Sequence, residues 1–76
     1  MPTAYIFINT KPTSMPEVLK ELKAVEGVEE AAMVYGVYDI VAKVKTDTMD
    51  QLKKIISYNI RRLDNLTATQ TLLISY

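Results

Sequence analysis

Apolar positions along the chain switch between two spacings, and the switches mark out successive strands and helices. Residues 4–8 (Ala-Tyr-Ile-Phe-Ile) are an unbroken apolar run rich in branched and aromatic side chains, which predicts a strand. Ser14-Met15-Pro16-Glu17 predicts a helix start. Ser14 is its cap, Glu17 completes a capping box, and Pro16 sits in a first turn that does not need its missing N–H. Val18, Leu19, Leu22 and Val25 form the apolar stripe, with Lys20, Glu21 and Lys23 on the solvent side. Gly27 is expected to end this helix in the left-handed conformation. Residues 28–35 predict a second strand and residues 39–45 a third, joined by a turn at Gly36. Thr48 and Gln51 make a second capping box, after which Leu52, Ile55, Ile56, Ile60 and Leu63 fall on one helical face. Residues 67–76 predict a last strand. The order is βαββαβ, without linker, repeat or low-complexity tract.

That order restricts the architecture. A short β2–β3 connection makes that pair antiparallel, and two right-handed βαβ crossovers put both helices on the same sheet face. The expected fold is an α+β, ferredoxin-like sandwich of four antiparallel strands with two helices on one face. The other face is left bare, yet the strands do not turn a polar side to it. Ala4, Ile6 and Ile8 share one face of the first strand, but Tyr5 and Phe7 occupy the other. Val41 and Leu73 are likewise expected to point away from the faces carrying Ile40, Ala42, Val44 and Leu72, Ile74. A second apolar face in a chain of 76 residues calls for a partner, most economically another copy packed sheet to sheet about a two-fold axis.

Composition reinforces this expectation. One small domain buries a limited fraction of its surface, and with no Cys it has no disulfide to compensate. Without Cys or His the usual zinc and copper ligand sets are missing, so no metal or cofactor is expected. Nine basic residues balance nine acidic ones, which argues against nucleic acid or membrane as the main partner. Residues 1–3 lead straight into the first strand, with no secretory pattern and no apolar stretch of spanning length. A soluble, cytoplasmic protein is expected.

Catalytic patterns are missing as well. There is no His base, Cys nucleophile, Gly-x-Ser-x-Gly or Gly-rich phosphate loop. Glu29 and Glu30 are neighbours on a strand and point to opposite faces, so they cannot share a proton or a metal. Lys53-Lys54 and Arg61-Arg62 fit a solvated helix face better than a nucleic-acid site. Thr67, Thr69 and Thr71 line up on one strand face, either as ordinary strand formers or as a row of neutral hydroxyls for a polar ligand.

Residues 35–39 (Tyr-Gly-Val-Tyr-Asp) lie between two strand-like runs. Gly36 tolerates positive φ, and Asp39 can fold its carboxylate onto nearby backbone N–H groups. A phenol, a carboxylate and bare amides at one sheet edge are the groups that hold a small zwitterion. A hairpin turn with no further role is the other reading, and the local residues leave both open.

The ordered set Gly36-Val37-Tyr38-Asp39-Ile40-Val41-Ala42-Lys43-Val44, Asp47, Leu52-x-x-Ile55, Ile60-x-x-Leu63 and Thr69-Gln70-Thr71 resembles a known family. It is similar to the effector (RAM) domain of the leucine-responsive and asparagine-type (Lrp/AsnC) transcription regulators of prokaryotes, over essentially the whole chain. The resemblance implies a dimeric α+β barrel, with dimers assembling into rings of the octamer or decamer kind. It also implies sites for free amino acids at the dimer–dimer contacts. By matching positions, Gly36 and Val37 would offer backbone groups, Tyr38 would shape the pocket, and Asp39 would favour the α-ammonium. Thr69 and Thr71 would add hydroxyls or pocket wall.

Full regulators of this family carry a DNA-reading helix-turn-helix, whereas this chain begins at strand one. The expectation is therefore a stand-alone effector domain over residues 1–76. It would sense an amino acid, act on a full-length regulator by mixed assembly, and catalyse nothing. Two other classes remain open from the residues: a small dimeric α+β barrel enzyme using Tyr38 or Asp39 as acid or base, and a purely structural assembly protein.

Overall fold

A computed structural model describes residues 1–74 of the chain. The element order is β1 (Thr3–Thr10), α1 (Met15–Lys23), β2 (Val28–Met33), β3 (Ile40–Lys45), α2 (Met49–Lys54) with a π-helical continuation (Ile55–Ile60), and β4 (Leu66–Ile74). The strands form one antiparallel sheet in the order β2-β3-β1-β4. This is the ferredoxin-like arrangement that the segment order predicted. The end of the expected last strand, residues 75–76, lies outside the described residues.

Both helices cover one sheet face. Ala4, Ile6 and Ile8 of β1 and Ile40, Ala42 and Val44 of β3 are buried there. They meet Val18 and Leu22 from α1, and Leu52, Ile56 and Ile60 from the second helical segment, in a single cluster. Burying each Val, Leu or Ile of this cluster contributes roughly 1.5–3 kcal/mol, which makes this layer the main stabilising element.

The second helix departs from the expected regular α-helix. Leu52, Ile56 and Ile60 are spaced by four, and each such step overshoots a full α-helical turn by about 40°. The wider π turn, marked by Arg61 N–H donating to Ile56 O at 3.1 Å, keeps all three on the buried face.

The helix starts differ too. Thr48 Oγ1 accepts from Gln51 N–H at 3.2 Å, which forms the N-cap half of the expected capping box. Ser14 makes no side-chain cap, and its backbone N–H donates instead to Lys11 O. α1 then stops at Lys23, before Gly27, whose φ of +95° serves the α1–β2 connection rather than the helix end. An added Cβ at Gly27 would sit 2.6 Å from Ile55 Cδ1, so glycine also permits close packing there.

Pairing corrects the expected faces of β4. Leu73 lies opposite Ala4 on the helix side, while Leu72 lies opposite Tyr5 on the open side. The open face thus carries Tyr5, Phe7, Val41 and Leu72, with Val41 placed as expected. β2 also carries a register shift between Val28 and Glu30, which leaves Ala32 and Glu30 opposite Val41 and Lys43.

Candidate functional site

The segment between β2 and β3 is longer than a tight hairpin. β2 stops at Met33 and β3 starts at Ile40, so Val34, Tyr35 and Asp39 leave the strands to which the sequence pattern assigned them. Val34 N–H donates to Asp39 O at 2.8 Å and closes the loop over residues 34–39. Within it Gly36 adopts φ +146°, which side-chain-bearing residues rarely occupy, and nothing lies within 4 Å of the position its Cβ would take.

Asp39 is the fastening of this loop. Its backbone N–H donates to Ile8 O at 3.0 Å, and its carboxylate Oδ2 accepts from Thr10 N–H at 3.0 Å. The carboxylate does reach backbone N–H, but on β1 rather than within its own turn. It takes the place a strand carbonyl would otherwise hold for the buried Thr10. One carboxylate oxygen is therefore committed to the fold, and no donor among the described residues reaches Oδ1. The backbone N–H groups of Tyr35, Gly36 and Val37 also carry no hydrogen bond within the described chain, and all three residues are exposed.

The turn divides its residues between the two sides of the sheet. Tyr38 lies on the open face, its ring centroid 5.4 Å from that of Phe7 and tilted by 40°. Its hydroxyl donates to Gln70 Oε1 at 2.5 Å. Gly36 and Asp39 turn the other way and line a hollow of about 400 Å³ with Met15, Met33, Val34 and Tyr35. Met15 is the first residue of α1, so this hollow sits between the turn and the helix start.

Thr69 and Thr71 are not brought to the turn within one protomer. They lie on β4, opposite Ile8 and Ile6, on the helix side of the far sheet edge. Thr71 Oγ1 is buried and has no hydrogen-bond partner. The residues that sequence reasoning missed are Met15, Met33 and Gln70. The topology contained a signal for Met15, because the β2–β3 turn and the exit of β1 toward α1 share one end of the sheet.

A larger hollow of about 480 Å³ lies at the opposite end, lined in part by Gly27, Lys45, Thr46, Lys54 and Ile55. Size does not make it the better site. Its charged side chains Glu26, Lys45, Asp47 and Lys54 are all exposed, and the hydroxyl of its one buried polar residue, Thr46, already donates to Thr48 O, whereas the turn holds its carboxylate in a fixed position.

Comparison with known proteins adds an independent line. The family model described as the Lrp/AsnC ligand binding domain matches residues 3–75. A curated relative, an uncharacterized HTH-type transcriptional regulator of Pyrococcus abyssi, is 26% identical over 68 residues, which are 90% of this chain and 43% of that protein. The chain thus spans less than half the length of the curated relatives it matches. Among solved structures, the hypothetical protein PHS023 of Pyrococcus horikoshii superposes with a TM-score of 0.93 at 37% identity, covering 100% of this chain and 92% of that one. AsnC of E. coli superposes with a TM-score of 0.86 at 28% identity, over 96% of this chain and 50% of that one. The transcriptional regulator NMB0573 of Neisseria meningitidis, solved as a complex with L-Met, shares the fold with a TM-score of 0.84 at 9% identity, over 99% of this chain and 50% of that one.

Proposed function

The chain belongs to the Lrp/AsnC ligand-binding domain family, and from that footing we propose that it is an amino-acid-sensing, oligomerising module that modulates full-length regulators of the same family. The observation that carries this is the turn itself. The free Oδ1 of Asp39 and the unpaired N–H groups of Gly36 and Val37 belong to one short loop fastened to β1, and Gly36 and Asp39 line the same hollow. A carboxylate beside backbone donors matches the two ends of an α-amino acid, ammonium to Asp39 and carboxylate to the amides. A fold-mate from Neisseria meningitidis was solved with L-Met, which supports a free amino acid as effector.

The remaining candidates enter through assembly. Tyr5, Phe7, Val41 and Leu72 give the open sheet face an apolar surface that a second copy would cover. Tyr38, packed on Phe7 and bonded to Gln70, stiffens that face beside the turn. A site that uses Thr69 and Thr71 as well as the turn takes its threonines from one copy and its turn from another. Ligand and ring formation would then be coupled, because each completes the other. Mixed assembly with a full-length regulator would pass the signal on through the same surfaces.

Millimolar to micromolar affinity, about 4 to 8 kcal/mol, asks roughly 0.4 to 0.8 kcal/mol from each of an amino acid's ~10 heavy atoms, well inside the ceiling of ~1.5 kcal/mol, and is the expected range. Light scattering with and without each free amino acid tests the proposal, with co-purification against a full-length family regulator as its second arm. A ligand-dependent change in assembly supports it. Indifference to every amino acid, together with strictly homo-oligomeric behaviour on co-expression, contradicts it.

A further inference from the structure

We infer that the hollow between the β2–β3 turn and the start of α1 selects amino acids with uncharged, apolar side chains, and that Met33 and Met15 are the residues that set this preference. The inference rests on the amino-acid-sensing reading above and sharpens it to a ligand class.

The lining decides the class. Met15, Met33 and Val34 supply apolar wall, Gly36 supplies bare backbone, the exposed Tyr35 borders the mouth, and Asp39 is the one carboxylate in the set. With Oδ2 engaged by Thr10 N–H, Oδ1 is the oxygen that has no donor among the described residues, and an α-ammonium would use it. A ligand with an acidic side chain finds no Lys or Arg in the lining and meets the Asp39 charge. A ligand with a basic side chain brings a second cation into a methionine-lined wall with no second carboxylate to receive it. An aliphatic or thioether side chain carries no such cost, and methionine walls adapt to branched and unbranched shapes alike. The volume of about 400 Å³ falls within the range of small-molecule sites. It also has an open side, since nothing stands within 4 Å of the Cβ position at Gly36.

Met33 is the informative position. It is 55% exposed on the edge strand β2 and contributes little to the core, so it can be changed without unfolding the chain. Met15, by contrast, packs against the core cluster.

Titration calorimetry of the full chain with L-leucine, L-isoleucine and L-methionine, against L-aspartate, L-lysine and glycine, tests the inference. The apolar set should bind about tenfold or more tighter than the others. Met33→Lys should weaken the apolar ligands by a similar factor with the melting temperature kept, and Met33→Leu should retain them. Tight binding of a charged amino acid in preference to the apolar set overturns the inference and leaves the sensing reading intact. Apolar binding that is indifferent to Met33→Lys overturns the assignment of this hollow. Binding of no amino acid removes the sensing reading itself.

Discussion

The Asp39 carboxylate accepts a hydrogen bond from the backbone N–H of Thr10 at 3.0 Å, across 29 residues of sequence. This one contact ties the candidate binding turn to the central strand β1 and gives Asp39 a structural duty besides any role toward a ligand. The two duties separate by substitution. Asp39→Ala leaves the buried Thr10 N–H without a partner and should cost roughly 1–3 kcal/mol in denaturant unfolding. Asp39→Asn keeps an acceptor oxygen and should cost less than half of that. Equal losses in the two variants would show that the hydrogen bond does not hold the turn.

Gly27 and Gly36 should respond differently to alanine. Both have positive φ, so each substitution should cost on the order of 1–3 kcal/mol through backbone strain. At Gly36 the new methyl meets nothing, whereas at Gly27 it meets Ile55 Cδ1. Removing that methyl with Ile55→Val should therefore recover part of the Gly27→Ala loss and none of the Gly36→Ala loss. Additive behaviour of Gly27→Ala with Ile55→Val would mean that the close approach carries no energy.

The two helix starts make a matched pair. Thr48→Ala removes a formed cap and should destabilise by about 1 kcal/mol. Ser14→Ala removes a hydroxyl that caps nothing and should stay within ~0.5 kcal/mol of the parent. Urea midpoints of the two variants decide the matter, and a Ser14→Ala loss as large as that of Thr48→Ala would contradict the observed geometry.

Association should run through the open sheet face. Leu72 lies on it opposite Tyr5 and is 48% exposed, so Leu72→Lys should leave the fold intact. Sedimentation should show the parent chain assembled and the variant reduced toward monomer. Assembly unchanged by Leu72→Lys would place the contact elsewhere.

Much of this fold was readable from period alone, because strands and helices with one buried face write that face into the sequence. Leu52, Ile56 and Ile60 announced a helix, but their spacing could not reveal that a π turn holds them in line. Leu72 and Leu73 are consecutive, so alternation cannot say which faces inward. Pairing with β1, including a shift between Asn9 and Thr10, makes that choice. At the site, Gly36 and Asp39 were legible as turn chemistry, since both types have specific backbone uses. The Asp39–Thr10 bond was not, because it joins elements distant in sequence. Nor did the chain reveal that Tyr38 and Asp39, neighbours in sequence, serve opposite sides of the sheet.

The central claim is that the turn binds a free amino acid through Asp39. Titration calorimetry of the parent chain and of Asp39→Asn, across the common L-amino acids up to about 10 mM, addresses it most directly. The expected result is saturable binding of at least one amino acid to the parent and its loss in Asp39→Asn, with melting temperatures within a few degrees of each other. Unchanged affinity in Asp39→Asn, or no binding of any amino acid to the parent, would contradict the account.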